Sequence, residues 1–418
     1  MHAPLATAAG RTASPTTARL INDRLALQLL QSEGPLTASQ LRQLTGLSRP
    51  TVADLVDRLQ EAGLIAVVGE SGAQRRGPNA RLYGIVADRA HLVGLDLRTH
   101  SLTVAVADLL GRLRAERTVP IGPFGAPGDG DRPARDAPDP TAAARTAALA
   151  AVDATLAEAG SAGPHTLAIG APGLIDPATG RLGGSTPAWH DALIGALRDR
   201  GAGTVLLENE VNLAALAEQR DGAARDRDTF VLFWLGHGTG AAVVLDGTLR
   251  RGASGGAGEI GFLPVPGTGG LPSATGCDGG FHSLAGSAAI VRLAAEHGLA
   301  PAPDDTPERA DTPPAEALVR DAVTAGGPAA FLDALAARIA LGVSGVCAVL
   351  DPGCVVLGGE IGRAGGDPLA ERVAARLTRL SPLRTDVRAG TVGGRAVLRG
   401  AVLAARDAAQ DDLFGATP

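Results

Sequence analysis

The chain has 418 residues, 45% of them apolar, with a formal net charge of −6. That is length for two or three domains and enough apolar material for sizeable cores. The acidic balance excludes a chain coated with cations throughout. Every basic residue is Arg, which excludes mechanisms that need a lysine, including the phosphate-loop lysine of Walker-type enzymes.

The charge is uneven, because residues 1–86 hold nine Arg against six Asp and Glu. A mildly basic head on an acidic body suits a DNA-reading module joined to something else. Residues 1–18 are rich in Ala and Thr, lack an apolar stretch and read as a disordered tail rather than a signal peptide. Cys277, Cys347 and Cys354 are odd in number, widely spaced and form no CxxC pair, as expected of reduced thiols in the cytoplasm. No uninterrupted apolar run reaches the roughly 18 residues of a membrane span.

Leu20 to Gln31 predicts a helix, with Ile21, Leu25 and Leu29 repeating every four residues and Leu20, Leu27 and Leu30 beside them. The stretch TASQLRQLTGLSRPTVADLVDRLQEAG, residues 37–63, then predicts two short helices around a break at Gly46-Leu47-Ser48. Ser48 is a good N-cap, and Pro50 sits early in the second helix, where a missing N–H costs little. Val52, Leu55, Val56 and Leu59 form one apolar stripe and leave Arg49, Thr51, Ala53, Asp54, Asp57 and Arg58 outside. This is the helix-turn-helix pattern, whose second helix enters the DNA major groove. Residues 64–68 and 80–86 read as two strands around a tip holding Arg75, Arg76, Gly77, Pro78 and Asn79. Arginines on such a tip suit the narrow, negative minor groove, which completes a winged helix-turn-helix over residues 19–86. The candidate DNA-binding residues are Thr37, Ser39, Ser48, Arg49, Thr51, Arg75, Arg76 and Asn79.

From His91 strands begin to alternate with helices. Two strands joined by turns open the body, residues 120–140 read as a mobile Pro/Gly/Asp-rich loop, and Thr141 to Ala159 is an Ala-rich helix. Strands follow at 165–169 and 204–207, the latter running through Glu208-Asn209-Glu210 into a helix whose N-terminus favours acids. Phe230 to Leu235 and Ala241 to Leu245 are strands around the turn Gly236 to Gly240. Residues 255–280 are glycine-rich and irregular, and residues 299–315 form a second Pro/Asp-rich loop. Phe331 to Leu350 is a long apolar helix before the strand Cys354 to Leu357. The pattern predicts an α/β body of two lobes, residues 87–202 and 203–418, facing each other across a cleft.

Five features in this order resemble the ROK family (repressors, open reading frames and sugar kinases). They are the winged helix and the segments GAPGLIDPATGRL, LENEVNLAALAE, WLGHGTGAAVVLDGTLRRGASGGAGEIG and VLDPGCVVLGGEIG. The resemblance implies a two-lobed actin/hexokinase-like (RNase H-like) ATPase-type fold and a homodimer or homotetramer. It also implies a transcriptional regulator of sugar uptake or metabolism genes. Family kinases use an Asp-x-Gly-Gly-Thr turn for ATP phosphates, and here the matching run is Asp96-Leu97-Arg98-Thr99-His100, with both glycines replaced. The family's catalytic Asp, in an Asn-Asp pair, corresponds to Glu210, whose extra methylene moves the carboxylate by roughly 1 Å. The family's zinc pattern is broken, because Glu259-Ile260-Gly261 is followed by Phe262 and only Cys277 lies downstream, with His282 and His297. The expectations are therefore no catalysis, no cofactor and no metal. Asn209, Glu210, Glu259 and His282 are candidates for holding a sugar effector, with Trp189 or Phe262 as an apolar platform. The partners are a double-stranded DNA operator, a sugar and a second copy of the chain, with no membrane. An active sugar kinase carrying a DNA-binding head, or an effector-independent DNA-binding protein, are the alternatives.

Overall fold

The computed structural model describes residues 15–71, 80–121, 139–183, 186–201, 203–273, 276, 278–301, 310–324 and 328–415. The chain divides into two compact units. One comprises residues 1–92 with 107–112 and 406–418, and the other 93–106 with 113–405.

In the first unit, helix α1 (Pro15–Ser32) precedes the short strand β1 (Leu36–Thr37), α2 (Ala38–Thr45) and α3 (Arg49–Glu61). Strands β2 (Ile65–Ser71) and β3 (Ala80–Ile85) follow, and the sheet order is β1-β3-β2. Its antiparallel pairing makes a wing with a third strand that two residues of sequence did not reveal. Thr37 caps α2 through a capping box with Gln40, and Gly46 ends that helix at φ +71. That left-handed backbone suits glycine, which is why the break falls there. Ser48 caps α3, and Val52, Leu55, Val56 and Leu59 are buried as the stripe requires.

Two expectations for α1 need correction. The helix starts at Pro15, inside the stretch read as a tail, and residues 1–14 lie outside the described residues. Its buried face is Ala26, Leu27 and Leu30, whereas Leu20, Ile21 and Leu25 are exposed. The four-residue repeat drifts around a helix of 3.6 residues per turn, so the buried face runs through Ala26, Leu27 and Leu30 instead. Arg58 on α3 reaches back to Asp23 on α1 (Nε to Oδ2, 2.9 Å) and to Asp54. Hydrogen bonding to Asp23 holds its pKa above the ordinary arginine value. Asp23→Asn should cost about 1 kcal/mol of unfolding free energy in urea titration, because Asp54 remains as a partner.

In the second unit a five-stranded sheet has the order β10-β7-β4-β5-β6. Its strands are β4 (His91–Leu97), β5 (Ser101–Asp108), β6 (Leu113–Pro120), β7 (Thr166–Ala171) and β10 (Thr204–Asn209). A small hairpin, β8 (Leu174–Ile175) with β9 (Leu182–Gly183), branches from β7. Helices α4 (Pro140–Glu158) and α5 (Ala188–Asp199) cover the sheet with Ala148, Val152, Trp189 and Leu193. β10 pairs in parallel with β7, so the first lobe reaches beyond the boundary expected at residue 202. Helix α6 (Glu210–Asp221) follows β10 directly.

The second sheet has the order β13-β12-β11-β14-β15. Its strands are β11 (Phe230–Leu235), β12 (Thr239–Leu245), β13 (Thr248–Arg250), β14 (Cys354–Gly358) and β15 (Asp386–Ala389). Around it stand α7 (His282–Ala285), α8 (Ser287–Glu296), α9 (Pro314–Thr324), α10 (Ala329–Leu350) and α11 (Gly359–Leu380). α12 (Ala396–Leu413) closes the chain. α10 is by length and composition apolar enough to cross a membrane, and here it buries Phe331, Leu335, Ile339 and Val343 in the lobe core. Cys347 and Cys354 are buried free thiols, while Cys277 and the loop at 122–138 lie outside the described residues.

Candidate functional site

The first turn of α3 is an exposed polar surface. Ser48 Oγ accepts from Thr51 N at 3.3 Å and lies 2.7 Å from Thr51 Oγ1, and Arg49 and Thr51 are exposed. Ser39 is exposed at the start of α2, whereas Thr37 is buried with its hydroxyl engaged by Gln40. Arg75, Arg76 and Asn79 lie outside the described residues. Arg42 on α2 and Arg81 on β3 are further exposed cations of this unit, which the apolar patterns could not mark.

The cleft of the second unit is a cavity of about 420 Å³ lined from both lobes. Its polar heart is Arg98, at the turn after β4. The guanidinium donates Nε to Asp96 Oδ1 at 2.9 Å, Nη2 to Asp96 Oδ2 at 3.3 Å and Nη1 to Glu360 Oε1 at 2.9 Å. Glu210 Oε2 stands 3.7 Å from Nη1. Burial opposes the arginine's charge, but Asp96, Glu210 and Glu360 outweigh it and hold the pKa above the ordinary value. Burial pushes the Asp96 carboxyl up against the pull of Arg98. Burial lowers the His190 pKa, and its Nε2–H donates to the Arg98 carbonyl at 2.9 Å and fixes the turn. Asp311 accepts from His100 N at 2.9 Å and from Ser101 Oγ at 2.6 Å.

Asn209 N-caps α6 through Oδ1, which accepts from Val211 N at 2.8 Å, and its Nδ2 donates to Gly173 O at 2.9 Å. Its side chain is thereby spent on architecture, although the residue lines the cavity. Gly173 has φ +99, and a β-carbon there would sit 2.8 Å from Gly183 O, so only glycine fits. Capping Asn209 places Glu210 on the first turn of α6, facing the cavity. Burial raises the Glu210 pKa to about 7, with Arg98 opposing and Asp96, Glu360 and Asp311 adding to the rise. A carboxyl raised in the folded state stabilises below its unfolded value near 4.5, and that stability is lost as pH rises through about 7. Glu210→Gln should therefore raise the Tm, relative to the native chain, more at pH 8 than at pH 5; an equal difference at both would contradict this.

Glu259 also lines the cavity, exposed to it. His282 does not; it stands behind Gly238, its ring 3.8 Å from where a β-carbon there would sit. Trp189 is core, edge-on to His190 at 4.4 Å, and Phe262 is not in the cavity wall. Trp234 is the aromatic residue that lines it. Glu208 accepts from Arg251 Nε (2.6 Å) and Asn212 Nδ2 (2.8 Å) beside a separate cavity of about 520 Å³.

Two α/β lobes closed over a carboxylate-lined cleft, with a winged helix-turn-helix in the same chain, define the actin/hexokinase-like ATPase-type fold joined to a DNA-binding motif. The ROK family matches residues 92–408, and the chain belongs to the ROK family. The MarR family matches residues 22–77, across the winged helix.

The chain is 24% identical over 354 residues to a putative xylose repressor of Caldicellulosiruptor, covering 81% of this chain and 83% of that protein. It is 26% identical over 254 residues to the Escherichia coli DNA-binding transcriptional dual regulator NagC, covering 59% of this chain and 57% of NagC. A Thermotoga maritima glucokinase is 34% identical over 219 residues, covering 49% of this chain and 68% of the enzyme. The chain thus spans little more than half of NagC and about two thirds of that glucokinase. A crystal structure of a ROK family transcriptional regulator, a homolog of the E. coli MLC protein, superposes with a TM-score of 0.71. That pair shares 21% identity and covers 95% of this chain and 98% of the other, a likeness of fold.

Proposed function

We propose that this protein is a cytoplasmic DNA-binding transcriptional regulator, a repressor of carbohydrate uptake or metabolism genes. It acts as a homodimer or homotetramer and senses a sugar or sugar derivative in the cleft without phosphorylating it. The exposed first turn of α3 supports DNA reading, with Arg49 and Thr51 toward base edges or phosphates and Ser39 and Ser48 beside them. The wing residues Arg75, Arg76 and Asn79 complete the interface in the minor groove. Two copies would set two recognition helices about one DNA turn, or a multiple, apart.

The observation that carries the non-catalytic reading is Arg98. A phosphoryl-transfer site needs carboxylates free for metal and base and close backbone approach to the phosphates. Here one guanidinium takes up Asp96 and Glu360 and stands beside Glu210, where the family's kinases have glycine. Asp96 and Glu360, engaged by this one guanidinium, are not free to hold the metal of a nucleotide. By linkage, a ligand that weakens operator binding must itself bind more weakly to the operator complex, by the same factor. A coupled ADP-release assay over a sugar panel tests the reading. No turnover is expected, and turnover abolished by Glu210→Gln would overturn it.

A further inference from the structure

We propose that the cavity on the Glu208 side of α6 is a second ligand site, separate from the cleft, for a small 2-hydroxy carboxylic acid with an apolar body. The cavity measures about 520 Å³ and is walled from both sheets. Leu206 of β10, Leu213 and Leu216 of α6, Val244 of β12 and Leu249 of β13 give it an apolar wall. Gly255, at φ +80, closes the loop after β13 onto the β8 hairpin, where a β-carbon would stand 2.0 Å from Ile175 O. Glycine thus lets the two sides of the cavity meet.

Glu208 builds the polar end. Its carboxylate is buried and accepts from Asn209 N at 3.0 Å and Asn212 Nδ2 at 2.8 Å through Oε1, and from Arg251 Nε at 2.6 Å through Oε2. It thereby orients two neighbours that each keep a face for a ligand. Arg251 is half-exposed, and among the described residues no partner engages its Nη1 or Nη2. That edge has the fork geometry that takes a carboxylate with two parallel hydrogen bonds. Asn212 is 5% exposed, and with Nδ2 turned to Glu208 its Oδ1 is an acceptor that no described residue fills. A hydroxyl of the ligand would satisfy it. Because Asn212 and Arg251 hold the two oxygens of one carboxylate, the open acceptor and the open fork lie close together. A hydroxyl on the carbon next to the ligand's carboxylate matches that closeness, and the rest of the molecule lies against the leucines.

Calorimetric titration and thermal unfolding of the full chain test this with 3-phenyllactate, its amide, 3-phenylpropanoate and inorganic phosphate. 3-Phenyllactate should bind one site and raise the unfolding temperature. Its amide should bind about tenfold more weakly or worse, for want of a charge to place on Arg251. 3-Phenylpropanoate should bind about three- to tenfold more weakly, for want of the hydroxyl on Asn212. Arg251→Gln should erase the difference between acid and amide. Leu249→Trp, on the edge strand β13, should fill the cavity and abolish binding without touching a charged group, and the unfolding curve of each variant shows whether it is folded. Acid and amide bound equally, phosphate bound as tightly as 3-phenyllactate, binding that survives Leu249→Trp in a folded chain, or no binding of any probe would overturn the inference. None of these results bears on the cleft or on DNA reading.

Discussion

Replacing Arg98 by alanine is expected to lower the unfolding free energy by about 3–5 kcal/mol at pH 7, the usual cost of stripping one partner from a buried ion cluster. Asp96 is 6% exposed and its carboxylate receives two N–H groups from Arg98. Glu360 receives a third, and Glu210 is 3.7 Å away. Without the guanidinium, three carboxylates share a poorly solvated space, and each raises the pKa of the others. The loss should shrink as pH falls toward 5, where the variant's folded form takes up protons more readily than its unfolded form. Arg98→Met combined with Asp96→Asn should recover part of the stability by removing one charge along with its partner. Urea unfolding at pH 7 and pH 5 gives both numbers. A loss below about 1 kcal/mol would mean that Arg98 is a solvated surface residue rather than the centre of the cleft.

The second large effect is expected on DNA. Arg49→Ala should weaken specific duplex binding by about 10- to 100-fold, the range of one bidentate base contact, and relax the sequence preference at that position. Thr51→Ala should act in the same direction, more weakly, since its hydroxyl also pairs with Ser48. Arg58→Ala provides the contrast. Arg58 lies on the same helix but is committed to Asp23 and Asp54, so its loss should lower stability and leave sequence preference in place. Fluorescence anisotropy on matched and scrambled duplexes separates the two outcomes.

The head was largely legible because its signals are local. Ser48, Pro50 and the stripe Val52 to Leu59 fall within twelve residues, and Gly46 marks its own turn. Helix α1 is the exception, because apolar spacing does not say which side meets a partner, and only the pairing of Asp23 with Arg58 of α3 does. The two-lobed body was legible from its segment order, but the boundary was not. β10 belongs with β7 through pairing between strands whose connection holds α5, and no composition change announces it. Helices α8 and α9 do carry a regular apolar face, Ala289, Ile290, Leu293 and Ala294 in one and Ala315, Leu318, Val319 and Ala322 in the other, and could have been read from it.

At the cleft, the absence of glycine from the run Asp96 to His100 could be read directly. The surroundings of Arg98 could not, since it is clasped by a glutamate 262 residues away. Asp311 likewise emerges from a Pro/Asp-rich stretch with nothing local to distinguish it. Asn209 shows the opposite limit, a residue that matches a binding position while its side chain caps a helix.

The exposed turn of α3 is the surface proposed to read a specific duplex and to be the protein's output. Selection of bound sequences from a random duplex pool, with the full chain and with Arg49→Ala, tests it most directly. The native chain should enrich one inverted repeat, its half-sites about one helical turn or a multiple apart, and the variant a degraded motif. No enrichment above non-specific binding, or the same motif at the same strength from both proteins, would contradict it.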